Sequence, residues 1–294
     1  MKRGKASNGK QRFLCKKCGS SFIIRNHSNN WPTELFQEYV FGKQTLQQLA
    51  DKHSTSKRTI QRHLDQYQEN QSSTQPVRSA VIGVDCSFFG QGYGIIVVRC
   101  PGMKKNLYWK AITTENKAVY EEARRYLENA GFTIQAVVLD AKHGIKEVFS
   151  DLIVQICQYH QYKIVMRYLT NKPKTEAGQE LKSLIGVLTD IDENLFTALL
   201  DAWYEKWSVF IKERTYKSDG KHWSYTHRRI RSAYRSLATN LPYLFTYQRY
   251  PELKIPNTNN SLEGYFSKMK RLLNNHNGLK RDRRFKLIEA ILTE

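Results

Sequence analysis

Between residues 79 and 157 the apolar positions gather into short runs bounded by turn residues, the pattern of buried strands. "AVIGVDCSFF" and "YGIIVVRC", joined by a Gly-rich turn, predict an antiparallel pair, and "KNLYWKAIT" adds a third strand. The period then lengthens. "NKAVYEEARRYLENAGF" places Val119, Ala123, Tyr126 and Leu127 on one helix face, with Gly131 as its stop. "TIQAVVLDAKHG" reads as a buried strand ending at Asp140, and "LIVQICQYHQYKIVMRYL" as a shorter apolar run leading into a helix. Three antiparallel strands, a helix and a strand of parallel-sheet character outline a ribonuclease-H-like α/β core. Residues 171–250 carry amphipathic helical periodicity with few strand signals, which predicts an all-α insertion. After it, "YPELKIPNTNNSLEGYF" starts extended at Ile255-Pro256 and enters a helix capped by Asn259, Asn260 or Ser261, with Glu263 in its first turn.

The N-terminal quarter has a different pattern. In "TLQQLADKHSTSKRTIQRHLDQY", Thr45 can cap a short helix with Leu46, Leu49 and Ala50 buried. Ser56 can cap a second, with Ile60 and Leu64 inward. Two short helices joined by a tight turn, with Lys57, Arg58 and Arg62 exposed near the start of the second, fit a helix-turn-helix whose cations meet phosphates or base edges; the plainer alternative is an αα-hairpin on a basic surface. The polar stretch "QENQSSTQPVRS" reads as a linker. Upstream, Cys15 and Cys18 sit on a turn between two short β-like runs, the form of one zinc knuckle. A structural zinc needs four ligands, and only His27 is near, so the segment is either a hairpin remnant with two free thiols or part of a zinc ribbon with a residual site. The expected domains are a partial zinc-ribbon-like segment at 1–28, a helix-turn-helix domain at 29–70 and a linker at 71–78. The core follows at 79–170, the all-α insertion at 171–250 and the C-terminal helix of the core at 251–294.

Composition adds a partner. The 294 residues hold 47 Lys+Arg against 27 Asp+Glu, a formal charge of +20, and 12% are aromatic. That excess points to a polyanion, with aromatics available for core packing or for stacking on bases; the alternative is a generally basic, soluble surface. No apolar run approaches the ~20 residues that cross a bilayer, so a soluble, intracellular protein is expected. Five cysteines, an odd number with one tight pair, do not resemble a secreted disulfide framework.

The carboxylates suggest chemistry. Asp85 lies among Val81, Ile82, Val84 and Phe88, where a charge needs a partner. Asp140 follows Ala136, Val137, Val138 and Leu139 in the same manner. Taken singly, Asp85 could pair with a lysine or cap a bulge, Asp140 could cap the next helix, and Glu263 could merely favour a helix N-terminus. Taken together, in a basic chain, they suggest a shared Mg²⁺ or Mn²⁺ site, with Glu263 as third ligand.

"CKKCG", "QQLADKHSTSKRTIQRHL", "VIGVDCSFFG", "VVLDAKHGI" followed by "CQYH", and "IPNTNNSLEGYFSKMK" ending in "NNHNGL" together resemble the Mutator-type bacterial insertion-sequence transposases with a DDE triad, in the branch with an N-terminal zinc ribbon and helix-turn-helix. The resemblance runs over nearly the whole chain. It implies a DNA transposase of an insertion sequence, binding terminal inverted repeats and catalysing metal-dependent cleavage and strand transfer, with Asp85, Asp140 and Glu263 as catalytic metal ligands. The family's Cys-x-x-His signature matches Cys157 and His160, read as structural support of the active-site strand, with DNA contact or catalysis as alternatives. Lys270, seven residues after Glu263, would hold a phosphate. The partners expected are double-stranded DNA, at element ends and target, and further copies of the chain on that DNA, with no membrane, in a bacterial cytoplasm at the nucleoid. Two rivals stay open: a non-catalytic DNA-binding regulator derived from a transposase, and a structure-specific nuclease of the same fold. The family pattern also includes an upstream Cys-x-x-Cys that this sequence lacks.

Overall fold

The computed structural model describes residues 1–7, 9, 11–23, 31–67, 79–142, 144–216, 218, 221–276 and 279–293. His27 and the expected linker at 71–78 lie outside them. The chain divides into two compact units, Met1–Gln71 with Met269–Leu292, and Ser72–Lys268. The segment expected to close the core, 251–294, is therefore shared between the two units.

The first unit begins with a three-stranded antiparallel ribbon, β1 (Lys2–Lys5), β2 (Gln11–Leu14) and β3 (Ser21–Ile23). Three helices follow: α1 (Trp31–Val40), α2 (Leu46–Lys52) and α3 (Lys57–Gln66). The side chain of Thr45 accepts the Gln48 N–H while the Gln48 side chain accepts the Thr45 N–H, a capping box that satisfies two orphan donors of α2. Ser56 Oγ accepts the Thr59 N–H and starts α3. Leu35, Phe36, Tyr39, Val40, Leu49, Ala50 and Ile60 form the buried centre, whereas Leu46 and Leu64 are half-buried. Within the same unit Arg283 makes a bidentate pair with Asp65, both bonds 2.8 Å.

The second unit is built on a five-stranded mixed sheet. Its strands are β4 (Ser79–Gly90), β5 (Tyr93–Cys100), β6 (Lys105–Ile112), β7 (Thr133–Leu139) and β8 (Ile153–Ile156), with α4 (Lys117–Asn129) between β6 and β7. The spatial order is β6-β5-β4-β7-β8. The first three strands are antiparallel, and β7 and β8 run parallel to β4, in line with the mixed α/β pattern of the sequence. Asn116 caps α4 through the Val119 N–H, and Gly131, at φ +81°, takes the left-handed conformation that lets the chain leave the helix and turn into β7. Tyr120, Ala123 and Leu127 bury against the sheet, while Tyr126 is exposed.

Helices α5 (Gln158–Leu169), α6 (Glu176–Gly186), α7 (Glu193–Lys212), α8 (Arg228–Leu244) and α9 (Thr246–Arg249) continue the chain, followed by α10 (Asn260–Asn274) and α11 (Arg281–Thr293). The region 171–250 is not all-α: β9 (Arg214–Tyr216) and β10 (Trp223–Tyr225) pair as a ribbon between α7 and α8. The reason lies in "RTY" and "WSY", two β-favouring triplets on either side of a polar, Gly-containing stretch, too short to stand out against the helical periodicity around them. Buried amides join the helices to the sheet. Gln155 and Gln158 both donate to the Leu244 carbonyl, Asn240 donates to the Gln161 side chain, and Thr246 donates to the Val154 carbonyl. Each of these glutamines is fully buried and each is partnered, as buried polar groups must be. No helix among the described residues is long and apolar enough to cross a membrane.

Candidate metal centre

The sheet register brings two carboxylates to one place. Gly83 of β4 pairs with Val138 of β7, and Asp85 and Asp140 each lie two residues further along, hence on the same face. The last pair of β7 and β8, Leu139 with Ile156, is followed in parallel by Asp140 and Cys157. Cys157 is fully buried before the first turn of α5; its N–H donates to the Leu139 carbonyl at 2.8 Å, and its Sγ accepts the Asn259 N–H at 3.2 Å. One turn on, His160 points back to the strand ends. Ligand atoms of Asp85, Asp140 and His160 all lie within 4.8 Å of one another.

Glu263 reaches this group through the histidine. His160 Nδ1 is 2.5 Å from Asp140 Oδ1, and His160 Nε2 is 3.0 Å from Glu263 Oε1. Lys163 Nζ lies 3.7 Å from the same Glu263 oxygen. The first turn of α10 is fastened from three sides. Asn259 Nδ2 donates to the Val84 carbonyl at 3.2 Å, Arg99 Nε donates to Ser261 Oγ at 3.1 Å, and the Asn257 side chain donates to that of Gln158 at 2.9 Å. The carbonyl of Asn259 accepts the N–H groups of Leu262 and Glu263. Of the three candidate caps, Asn259 thus holds the helix by its backbone and spends its side chain on β4.

The donor set can be tested against a cation. Asp140 Oδ1, His160 Nδ1 and Glu263 Oε1 are buried atoms without a hydrogen bond of acceptable geometry, although their contacts are short: the distance is met and the direction is not. Buried polar atoms left without a hydrogen bond call for another partner, and for the two carboxylate oxygens a cation is one. Asp85, 8% exposed, accepts the Cys86 N–H at 2.7 Å. Burial, then the Asp140 charge beside it, push the Asp85 carboxyl up to about 8. Burial alone would lower His160, but the nearby Asp140 carboxylate and Cys157 thiol outweigh it and push the imidazole up to about 11. Two carboxylates at the strand ends, with Glu263 of α10 on the far side of His160, fit a hard divalent cation such as Mg²⁺ or Mn²⁺; His160 could ligate it only after giving up its proton.

The remaining expected residues lie elsewhere. Lys57, Arg58 and Arg62 are exposed on α3, and Lys270 is exposed on α10 in the first compact unit. Cys15 and Cys18 flank a closed turn in which Cys15 N–H donates to the Ser20 carbonyl; Cys18 Sγ lies 3.0 Å from Ser20 Oγ, and both thiols are free. No group of three metal-ligating side chains includes them among the described residues.

Sequence reasoning passed over two supports of the centre. Arg99, 8% exposed in the apolar run of β5, carries the same signal as Asp85, a charge where none should be tolerated unpaired, and it bonds Ser261 and Asn106 and lies over the Tyr265 ring. Glu115 joins Lys142 at 3.0 Å and accepts the Tyr120 hydroxyl at 2.8 Å, tying the loop after Asp140 to the start of α4. Nothing in the sequence pattern marks that strut.

No family model matches the sequence, and no curated protein matches it. Among solved structures, the Drosophila P element transposase strand transfer complex is similar at a TM-score of 0.46, with 11% identity, over 95% of this chain and 94% of that one. A pre-cleavage Mos1 transpososome is similar at a TM-score of 0.19, also with 11% identity, over 76% of this chain and 82% of that one. At these levels neither likeness carries the functional reading, which rests on the centre's own geometry.

Proposed function

We propose that the chain is a metal-dependent polynucleotidyl transferase, a DNA transposase of a bacterial insertion sequence, with Asp85, Asp140 and Glu263 as metal-binding catalytic residues on a ribonuclease-H-like core. The observation that carries this reading is the convergence of Asp85, Asp140 and His160, with Glu263 held against His160, in a chain of formal charge +20. Divalent cations bound there would activate the attacking oxygen and take up charge on the leaving oxygen of an in-line phosphodiester reaction.

The chain's own residues supply placement. Asp85 and Asp140 are fixed by strand register, and Glu263 by the fastening of Asn259 and Ser261, so the carboxylates meet DNA preorganised. His160, between Asp140 and Glu263, either ligates with them or holds them at their spacing. Lys163 puts a positive charge beside Glu263, suited to a phosphate. The capped helix pair α2 and α3, with Lys57, Arg58 and Arg62 outward, is assigned to terminal inverted repeats, and Lys270 to a backbone phosphate. The domain limits given above belong to the same proposal.

The test is strand transfer from a pre-cleaved element end into target DNA by purified protein. Joining is expected with Mg²⁺ or Mn²⁺ and absent in EDTA, with Asp140→Ala and Glu263→Gln losing most of the rate. Joining that persists in EDTA refutes the proposal; metal-dependent cutting without joining moves it to a nuclease.

A further inference from the structure

The ribbon of β9 and β10 has an unusual face. Trp223 lies directly across from Tyr216, Ser224 across from Thr215, and Tyr225 across from Arg214. Because strand side chains alternate, Arg214, Tyr216, Trp223 and Tyr225 share one face, and Thr215 and Ser224 share the other. The guanidinium of Arg214 lies 3.9 Å from the Trp223 ring centre, and that of Arg231 lies 3.9 Å from the Tyr225 ring centre. Trp223 and Tyr225 meet edge to face at 5.1 Å.

Among the described residues, no core covers the outer part of this face. Trp223 is 40% exposed and Tyr216 59%. The other tryptophans of the helical region are used differently: Trp203 is buried and donates to the Ala177 carbonyl, and half-buried Trp207 donates to Glu180. Cross-strand aromatics do strengthen a short ribbon, but that role does not call for two arginines laid on the same rings. Arg214, Tyr216 and Trp223 are exposed and Tyr225 and Arg231 half-buried; such rings and guanidinium planes side by side, carrying positive charge, offer stacking surfaces for flat, anionic-backbone ligands, and unpaired nucleotides are the polymer with that chemistry.

We propose that the β9–β10 face is a binding platform for unpaired nucleobases, built from Tyr216, Trp223 and Tyr225 with Arg214 and Arg231 at its rings. It rests on the reading of the chain as a DNA-processing enzyme and deepens it: besides duplex, the substrate includes a segment whose bases have left the stack, and the platform receives them.

The test uses the full chain and two oligonucleotides, a paired duplex and the same duplex with a short unpaired thymidine tail carrying one 2-aminopurine. Fluorescence anisotropy reads affinity, and 2-aminopurine emission, quenched when the base stacks, reads the contact. Wild type should bind the tailed DNA more tightly and quench the probe. Trp223→Thr and Tyr216→Thr, which keep a strand-favouring residue but no ring, should weaken the tailed complex on the order of tenfold, leave duplex affinity within about twofold and restore emission. Trp223→Phe, which keeps a smaller ring, should retain most of the quenching. Unchanged affinity and quenching in the threonine variants, or equal loss in Trp223→Phe and Trp223→Thr, overturns the platform while duplex binding and metal-dependent joining leave the enzyme reading intact. Failure of wild type to bind either DNA overturns both.

Discussion

Gly83→Ala should damage the candidate metal centre without touching Asp85, Asp140, His160 or Glu263. A Cβ built at Gly83 would sit 2.3 Å from Asn259 Oδ1 and 3.4 Å from Leu262 Cδ1. The Asn259 side chain is 2% exposed and cannot swing into water. It would have to retreat by roughly 0.7 Å merely to reach the tightest tolerable contact, the overpacking that typically costs about 1–3 kcal/mol. Retreat also breaks the Asn259 bond to the Val84 carbonyl, adding about 1 kcal/mol, so a loss of roughly 2–4 kcal/mol is expected. Because the Asn259 carbonyl accepts the N–H of Glu263, the displacement passes to the carboxylate, and misplacement of a reacting group on the 1 Å scale costs on the order of 10²-fold in rate. Urea denaturation reads the stability and strand transfer reads the rate. The control is a cycle with Asn259→Ala, which removes the clashing oxygen: in that background Gly83→Ala should cost less by at least about 1 kcal/mol. Additive losses would show that the close approach of β4 and Asn259 is not what makes glycine necessary at this position.

Replacing Lys57, Arg58 and Arg62 together by alanine should weaken binding to element ends and flatten its salt dependence, each lost phosphate contact removing about 0.9 from the slope of log K against log salt; unchanged gel-shift affinity would refute the assignment of α3 to DNA. Trp203→Phe should lower stability by about 1–3 kcal/mol, because the buried Ala177 carbonyl loses its 3.0 Å donor, and should leave DNA affinity unchanged; the reverse pattern would mean Trp203 is a contact residue.

Much of the sheet was legible because its signals are local. "AVIGVDCSFF" and "YGIIVVRC" could pair only as an antiparallel hairpin, and Thr45 and Ser56 cap their helices by side-chain oxygens that reach three residues ahead. The shared face of Asp85 and Asp140 depends on parallel register between β4 and β7, which apolar runs suggest without fixing. His160 was visible only as part of a Cys-x-x-His pair. Its place between Asp140 and Glu263 follows from the first turn of α5 lying beside the end of β7 on one side and α10 on the other, and α10 is about a hundred residues further along the chain. The β9–β10 ribbon was hidden because three-residue strands leave no period to count. Arg99 could have been found by the argument applied to Asp85, since both are charges inside apolar strands.

The dependence of the centre on α10 also sets an order of events during synthesis. Asp85, Asp140 and His160 are made first, and the chain must then produce the whole helical region, ribbon included, before Glu263 appears. A nascent or prematurely ended product that stops ahead of Asn260 carries Asp85, Asp140, His160 and the aromatic ribbon, but lacks both Glu263 and the 269–292 segment that completes the first unit. On the proposed function, such a product would keep a surface for DNA without the third carboxylate, so the placement of Glu263 after the helical region would couple phosphodiester chemistry to synthesis past that region.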